Sequence, residues 1–296
     1  MSISNNHRTI LLINPKAGIR GVKALTRIFS KYINELDFSA FTDIEEFRNF
    51  VRTNIHKYDT FIAVGGDGTV NSLATELEGT NKVIGVLPYG SGNGFAREMG
   101  FRKNARHLLR DIQKNESVHT DVLVLNNRLC VNVAGTGFDS YVAHNFHNLR
   151  RRGFWNYVIT AIKIAFRIKP FQVTITTDKG TIEEEVFMIS VANTRQFGNN
   201  ALIAPMAVPN DGKFNIAIVK PFMKILIPVF AIRMLTGKLR ESKYFKFLES
   251  ENPVSISSHE NKYHIDGEPV IINDRLNIHV KKNALRVLKT SRNRWI

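Results

Sequence analysis

Two stretches of this chain carry the residue types that phosphate chemistry needs. They are Gly65-Gly66-Asp67-Gly68-Thr69-Val70-Asn71 and Pro88-Tyr89-Gly90-Ser91-Gly92-Asn93-Gly94. Each follows a short apolar run that reads as a buried strand, residues 59–64 and 82–87, and each leads into a helix. A strand that breaks into a glycine turn and then a helix aims backbone N–H groups at an anion. Glycine removes the Cβ where a phosphate must come close and permits positive φ in the turn. Asp67 sets a negative charge beside phosphates, which suits a group that holds a cation or takes a proton during phosphoryl transfer. The plainer alternative is a strand–turn–helix corner with Asp67 as a helix cap, because one glycine motif is a weak signal. Two such units in succession predict two loops converging on one site.

The elements around these loops follow the same alternation. Residues 8–13 read as a strand, which puts Asn14 and Lys16 at its carboxyl mouth, where open α/β sheets bind ligands. Val22, Leu25, Ile28, Phe29, Tyr32, Ile33 and Leu36 keep helical spacing. Phe38–Phe41 reads as the next strand, and Thr42 with Glu45 reads as a capping box for a helix through Phe47 and Val51. Helical spacing recurs at Val70, Leu73, Ala74 and Leu77, and at Ala105, Leu108, Leu109 and Ile112, completing an α/β domain.

Near residue 120 the pattern changes. Residues 121–125 and 128–133 read as a hairpin turned by Asn126-Asn127, and a helical stretch runs from Phe138 to Ile168. Strands are then expected at 172–177, 183–192, 213–219, 254–257, 263–265, 276–280 and 285–289, the pattern of a β-sandwich or barrel-like domain. No Pro/Gly/Ser linker marks the boundary, so the expectation is a tight cleft between the two domains.

The 296 residues are 43% apolar, ordinary for a globular chain with a sizeable core. A net charge of +15 points to anionic partners: nucleotides, nucleic acid or an anionic membrane surface. With one cysteine, Cys130, no disulfide forms within the chain, and a reducing cytoplasm is the default setting. Phe222–Leu235 is interrupted by Lys224, Pro228 and Arg233 and falls short of the roughly 20 apolar residues that a membrane span needs. The expected location is therefore the cytoplasm, with peripheral attachment to the inner face of the membrane as the alternative.

Four motifs, taken in order, carry a family resemblance. Asn14-Pro15-Lys16-Ala17-Gly18, Gly65 to Asn71, Leu87 to Asn93, and Ile265-Asp266-Gly267-Glu268-Pro269 resemble those of the diacylglycerol kinase catalytic family. The nearest branch looks like the soluble bacterial lipid kinases, which also resemble sphingosine and ceramide kinases. The resemblance implies an α/β + β chain. An N-terminal α/β nucleotide-binding domain, similar to those of NAD kinase and phosphofructokinase, would occupy 1–120. A C-terminal β-sandwich lipid-binding domain would occupy 121–296, with an interfacial cleft, and the final residues could return to the first domain. The implied activity is Mg²⁺-dependent transfer of the γ-phosphate of ATP to a lipid hydroxyl on a diacylglycerol or sphingoid-type acceptor. Nucleotide contacts are implied at Asn14, Thr42, Gly65, Gly66, Asp67, Gly68, Thr69, Val70, Asn71 and Ser91, with Lys16 beside Asn14 at the same strand mouth. Contact and capping are compatible at Thr42.

Read alone, Asp266-Gly267 is an ordinary hairpin turn. The resemblance instead implies a general base in this segment, Glu268 first with Asp266 beside it, since a carboxylate suits removal of the attacking hydroxyl's proton. Asp67 competes as base or as Mg²⁺ organiser. Val208 to Lys213 alone is a turn before a strand. The resemblance implies a structural Mg²⁺ held by Asp211 with the carbonyls of Val208 and Lys213, a donor set plausible for that ion. Asp121 falls where the family often has an acidic residue of a linking charge network.

The chain also departs from the bacterial pattern: Gly94 stands where an aspartate is usual, and Gly90-Ser91-Gly92-Asn93 is closer to the sphingosine-kinase version. That weakens diacylglycerol as the specific acceptor. Two basic stretches interleave with apolar residues. Arg150–Arg152, Lys163, Arg167 and Lys169 accompany Phe154, Trp155, Phe166 and Phe171. Lys220, Lys224, Arg233, Lys238, Arg240, Lys243 and Lys246 surround Phe222, Ile225, Leu226 and Phe230. Such a pattern suits an interfacial helix on anionic lipid or an amphipathic helix packed on its own sandwich. The enzymatic alternative is a soluble-metabolite kinase of the NAD-kinase type. The non-enzymatic alternative is an anionic-membrane or nucleic-acid-binding protein, but no helix-turn-helix, zinc or RNA-binding signature supports nucleic acid. Homodimerisation stays open.

Overall fold

Strands buried on both faces need unbroken apolar runs rather than alternation, and three short segments of the first half have them. In the computed structural model, which describes residues 8–15, 36–147, 154–293 and 295, these three join a fourth, less buried strand in parallel pairing. The strands are β1 (Thr9–Ile13), β2 (Leu36–Ala40), β3 (Thr60–Gly65) and β4 (Val83–Pro88), in the order β2-β1-β3-β4. Every residue of β1, β3 and β4 is buried. The helices are α1 (Ile44–Asn54), α2 (Asp67–Leu77), α3 (Gly94–Glu98) and α4 (Ala105–Lys114). Phe61, Ile62, Leu73, Leu77, Ile84 and Leu87 are fully buried, and side chains of this size each contribute about 1.5–3 kcal/mol when removed from water.

Two local expectations change here. The helical spacing from Val22 to Ile33 lies outside the described residues, while Leu36, counted in that run, begins β2 and pairs with Thr9. The cap of α1 is Asp43 rather than Thr42: its Oδ1 accepts the N–H groups of Glu45 at 2.8 Å and Glu46 at 3.0 Å. A carboxylate there satisfies orphan amides and meets the positive end of the helix dipole. Thr42 stands one residue too early.

The chain divides into two compact units, Met1–Thr120 with Asn283–Ile296, and Asp121–Lys282. Further along are β5 (Ser117–Leu125), β6 (Arg128–Cys130), β7 (Val133–Gly137), α5 (Phe138–His147), α6 (Phe154–Arg167), β8 (Phe171–Thr177), β9 (Gly180–Val186), β10 (Met188–Ala192) and β11 (Phe214–Val219). A 3₁₀ turn at Lys224–Leu226 leads into α7 (Ile227–Leu235). Then come β12 (Phe245–Ser250), β13 (Val254–Ser258), β14 (Lys262–Ile265), β15 (Glu268–Ile271) and β16 (Leu276–Leu288). Asn126 and Asn127 both take positive φ, 45° and 67°, and turn the β5–β6 hairpin as expected.

The second unit is a β-sandwich. One antiparallel sheet has the order β12-β11-β10-β7-β14-β15; the other contains β9, β8, β13 and the first part of β16. Leu123, Ile175, Ile189, Ile216, Ile256 and Ile278 are buried together between them. The single strand expected at 183–192 is two strands in different sheets. The chain changes sheet at Phe187, whose N–H goes to the Val219 carbonyl and whose carbonyl accepts from Phe138. The two strands expected at 276–280 and 285–289 are instead one, β16, with left-handed backbone at Asn283 (φ 54°). In the first unit, Arg286 and Val287 of β16 pair in parallel with Val83 and Ile84 of β4. Strand β12, which contains Lys246 of the second basic stretch, is not among the strands expected from the sequence.

Candidate functional site

At the carboxyl ends of β1, β3 and β4 the chain turns through the residues singled out for phosphate chemistry. Gly66 is the N-cap of α2 and Asp67 its first residue, so the amino end of the helix, the positive end of its dipole, lies at this edge. Tyr89 N–H donates to the Gly65 carbonyl at 2.8 Å, carrying the second loop alongside the first. The two loops touch through glycine. A Cβ on Gly90 would stand 2.5 Å from Gly66 Cα and 2.8 Å from Asn93 Oδ1, and one on Gly66 would stand 3.0 Å from Gly90 Cα. Both glycines are therefore needed for the approach of one loop to the other. A Cβ on Gly65 would collide with Thr69 Oγ1, the atom that accepts from Asn14 Nδ2 at 3.2 Å.

Asn93 locks the arrangement, a role that its place in the second glycine stretch does not by itself reveal. Its backbone is left-handed, φ 54°, a conformation that asparagine tolerates better than most residues. Its Oδ1 accepts from Gly90 N–H at 2.9 Å, and its Nδ2 donates to the Gly90 carbonyl at 2.7 Å. Its own N–H donates to Asp67 Oδ2 at 2.8 Å. An asparagine just before a helix, after alternating glycines, was the available signal.

The other expected nucleotide residues fall as follows. Asn14 and Thr42 follow β1 and β2, at the same sheet edge as Gly65 and Gly90, and Thr42 and Ser91 are exposed. Gly68, Thr69 and Asn71 lie in the first turns of α2. Val70 is 2% exposed and packs in the core, and its N–H donates to the Gly66 carbonyl at 3.1 Å. Lys16 lies outside the described residues.

In the second unit Asp266 and Gly267 form the two-residue turn between β14 and β15, with φ 52° and 84°. This is the mirror-image turn that Asp-Gly favours. The Asp266 carboxylate is buried and accepts from Val131 N–H at 3.0 Å, Asn132 N–H at 2.8 Å and the Cys130 thiol at 3.1 Å. Burial, then the Asp266 charge, push the Cys130 thiol well up, so it stays protonated and donates. Glu268 is exposed at the start of β15. The two carboxylates thus do different work: one ties strands together and the other faces solvent.

The loop from Val208 to Lys213 is held from below. Buried Asp121 accepts from Gly212 N–H at 2.7 Å through Oδ2, and its own N–H donates to the Pro209 carbonyl at 2.7 Å. Asp211 is exposed, and its Oδ1 accepts from Lys213 N–H at 2.9 Å. The Lys213 ammonium goes instead to Glu249 at 2.7 Å. Among the described residues no three His, Cys, Asp or Glu side chains gather as metal ligands. A single exposed carboxylate on a braced loop of backbone carbonyls is a hard-oxygen set that fits Mg²⁺ or Ca²⁺ with water completing the shell.

The basic surface is sharpened. Lys220 and Lys246 both pair with Glu184, at 2.7 and 3.3 Å, and hold its carboxyl below the usual range; they are part of the sandwich. Phe230 of α7 stacks on Phe245 with ring centroids 5.2 Å apart, so one side of the helix packs inward. The other side and the 3₁₀ turn before it stay open: Ile232 of α7 is 61% exposed, Ile225 of the turn 79% and Met223, just ahead of the turn, 66%. Phe166 and Ile162 of α6 are also exposed, and Lys224 Nζ donates to the Phe166 carbonyl. Lys163, Arg167, Lys169, Arg233, Lys238, Arg240 and Lys243 are exposed, whereas Arg150–Arg152 lie outside the described residues. No helix among the described residues is long and apolar enough to cross a membrane.

The diacylglycerol kinase catalytic domain family model matches residues 8–125, and the YegS C-terminal NAD kinase beta sandwich-like domain model matches residues 132–289. A protein named "Probable lipid kinase YegS-like" from Shewanella frigidimarina is 29% identical over 216 residues, covering 69% of this chain and 68% of the relative. A protein of the same name from Chromohalobacter salexigens is 27% identical over 214 residues, covering 70% and 69%. In fold, the chain matches the crystal structure of a diacylglycerol kinase from Bacillus anthracis str. Sterne. The TM-score is 0.75 at 18% identity, over 96% of this chain and 97% of the other.

Proposed function

We infer the function from one premise: this chain belongs to the family that joins a diacylglycerol kinase catalytic domain to a YegS-type C-terminal β-sandwich domain, and it is a lipid kinase, a phosphotransferase. The finer reading is that it transfers the γ-phosphate of ATP to the hydroxyl of a diacylglycerol or sphingoid-type lipid in a Mg²⁺-dependent reaction.

The observation that carries this reading is the joining of the two glycine loops by Asn93, with Asp67 held at the start of α2. Backbone N–H groups at a helix start stabilise phosphate oxygens through hydrogen bonds and the helix dipole. Asn14, Thr69 and Ser91 add polar side chains at the same edge. In the transfer, the lipid hydroxyl oxygen forms a bond to the γ-phosphorus as the bond to the bridging β–γ oxygen breaks, leaving ADP. We assign the hydroxyl proton to Glu268, an exposed carboxylate on a fixed turn. Asp266 is given the task of holding that turn, because its oxygens already accept from three donors. Asp67 remains the rival for the proton or the organiser of the nucleotide's metal. Asp211, with the carbonyls of Val208 and Lys213, would hold a structural Mg²⁺, whose charge would fix the loop.

We also assign the open surface of α7 and the segment that leads into it, with Met223, Ile225 and Ile232 accompanied by Lys224, Arg233 and Lys238, to contact with an anionic membrane surface. The protein would then work as a peripheral enzyme on the inner face of the membrane. Radiolabelled ATP with diacylglycerol, a sphingoid base, ceramide and NAD, separated by chromatography, tests the function. Label is expected in one of the lipids; label only in the NAD product overturns the reading in favour of a soluble-metabolite kinase.

A further inference from the structure

Behind the Asp266-Gly267 turn lies a buried polar group with no part in the reading above. Ser190 of β10, Gly135 of β7 and His264 of β14 stand opposite one another in neighbouring strands, so they share one face of the sheet. Gly135 lacks a side chain where Asp139 of α5 needs the room: a Cβ there would collide with Asp139 Oδ2. The carboxylate fills that gap, between serine and histidine. Ser190 Oγ donates to Asp139 Oδ2 at 2.6 Å, Ser140 N–H donates to Asp139 Oδ1 at 2.7 Å, and His264 Nε2 lies 3.2 Å from Oδ2. Ser190, Asp139 and His264 are 0%, 8% and 3% exposed.

The far side of the imidazole meets the turn. Gly267 N–H donates to His264 Nδ1 at 3.3 Å. An accepting Nδ1 puts the ring proton on Nε2, which lies beside the Asp139 carboxylate without forming a hydrogen bond to it. In a two-residue hairpin the flanking pair, here Ile265 and Glu268, carries the ladder bonds, and the Gly267 amide has no strand partner. His264 supplies one. Asp266 ties the other side of the turn, with its N–H on the Val133 carbonyl at 3.0 Å.

We propose that His264, seated beside the Asp139 carboxylate that Ser190 anchors, is a positioning residue that holds the Asp266-Gly267 turn and, through it, the backbone carrying Glu268. The proposal rests on the reading of Glu268 as proton acceptor. A displacement of 1 Å at a reacting group can cost about a hundredfold in rate, so a turn braced on both sides has a catalytic use that a merely stable hairpin lacks. Asparagine and glutamine separate the two roles. In His264→Asn the new amide oxygen would sit near the place of the ring Nδ1 and keep an acceptor for Gly267. In His264→Gln the longer side chain would reach Asp139 and leave Gly267 without one.

The test compares His264→Asn and His264→Gln in the full-length protein, by steady-state kinetics and by hydrogen exchange at residues 266–268. Expected for His264→Gln are a kcat lower by about 10- to 100-fold, an unchanged KM for ATP, and faster exchange at Gly267. His264→Asn should restore most of both. Should either variant unfold, Ser190→Ala removes one bond from Asp139 and should shift kcat and exchange the same way by a few fold. Unchanged Gly267 exchange in His264→Gln, or equal kcat losses in both variants, overturns the proposal. A wild-type kcat in His264→Gln while Glu268→Gln is inactive also overturns it. Full activity in Glu268→Gln removes the proton-acceptor assignment instead, and the exchange measurement still decides whether His264 holds the turn.

Discussion

The backbone N–H of Asn93 donates to Asp67 Oδ2 at 2.8 Å, so the aspartate of the first glycine loop is aimed by the asparagine of the second. Asn93 also closes its own loop through two bonds to Gly90. Together with the Tyr89 N–H on the Gly65 carbonyl, the Asn93–Asp67 bond makes the two loops one unit.

Replacing the Asn93 side chain tests the closure of the loop from which its N–H reaches Asp67. Asn93→Ala removes both bonds to Gly90 and leaves a left-handed position to a residue that disfavours it. Two lost hydrogen bonds at about 1 kcal/mol each should raise the Kd for ATP by about 10- to 30-fold while the β-sandwich unfolds at its usual temperature. Calorimetry with ATP and thermal melting of the same samples measure both.

The loop from Val208 to Lys213 can be tested without any turnover. If Asp211 holds Mg²⁺, adding the ion at about 100 times its Kd stabilises the protein by about 2.7 kcal/mol. Mg²⁺ should raise the melting temperature of the wild type, chelation should reverse the rise, and Asp211→Ala should melt the same with or without the ion.

The open face of α7 predicts a charge preference. Vesicles with anionic lipid should sediment the protein, and neutral vesicles should not. Ile225→Ser with Ile232→Ser should release it from the anionic vesicles without lowering the melting temperature, because neither side chain is buried. Each exposed cation at such a surface is worth on the order of 1 kcal/mol, so Arg233→Glu with Lys238→Glu should weaken binding more than tenfold.

What the sequence made legible was local. The buried strands, their glycine turns and the Asn126-Asn127 hairpin are each written in adjacent residues, and the structure has them. The cap of α1 was misplaced by one position because Thr42 and Asp43 are both good caps and only geometry chooses. The sheet change at Phe187 left no trace, since the apolar run continues through it. Strand β16 was divided because its middle, Lys281-Lys282-Asn283, is polar, although the left-handed Asn283 lets the strand continue. Ser190 and Asp139 are 51 residues apart, and His264 is farther still. No spacing rule links them; only the alignment of β10, β7 and β14 does.

Glu268 bears most of the chemical argument, and one substitution reaches it. Glu268→Gln keeps the size and the turn but cannot take a proton. With ATP binding confirmed by calorimetry, its kcat for phosphate transfer to the preferred lipid should fall by about 100- to 10,000-fold, the usual worth of a general base. A kcat equal to wild type, with ATP still bound, would contradict the assignment and move the proton to Asp67.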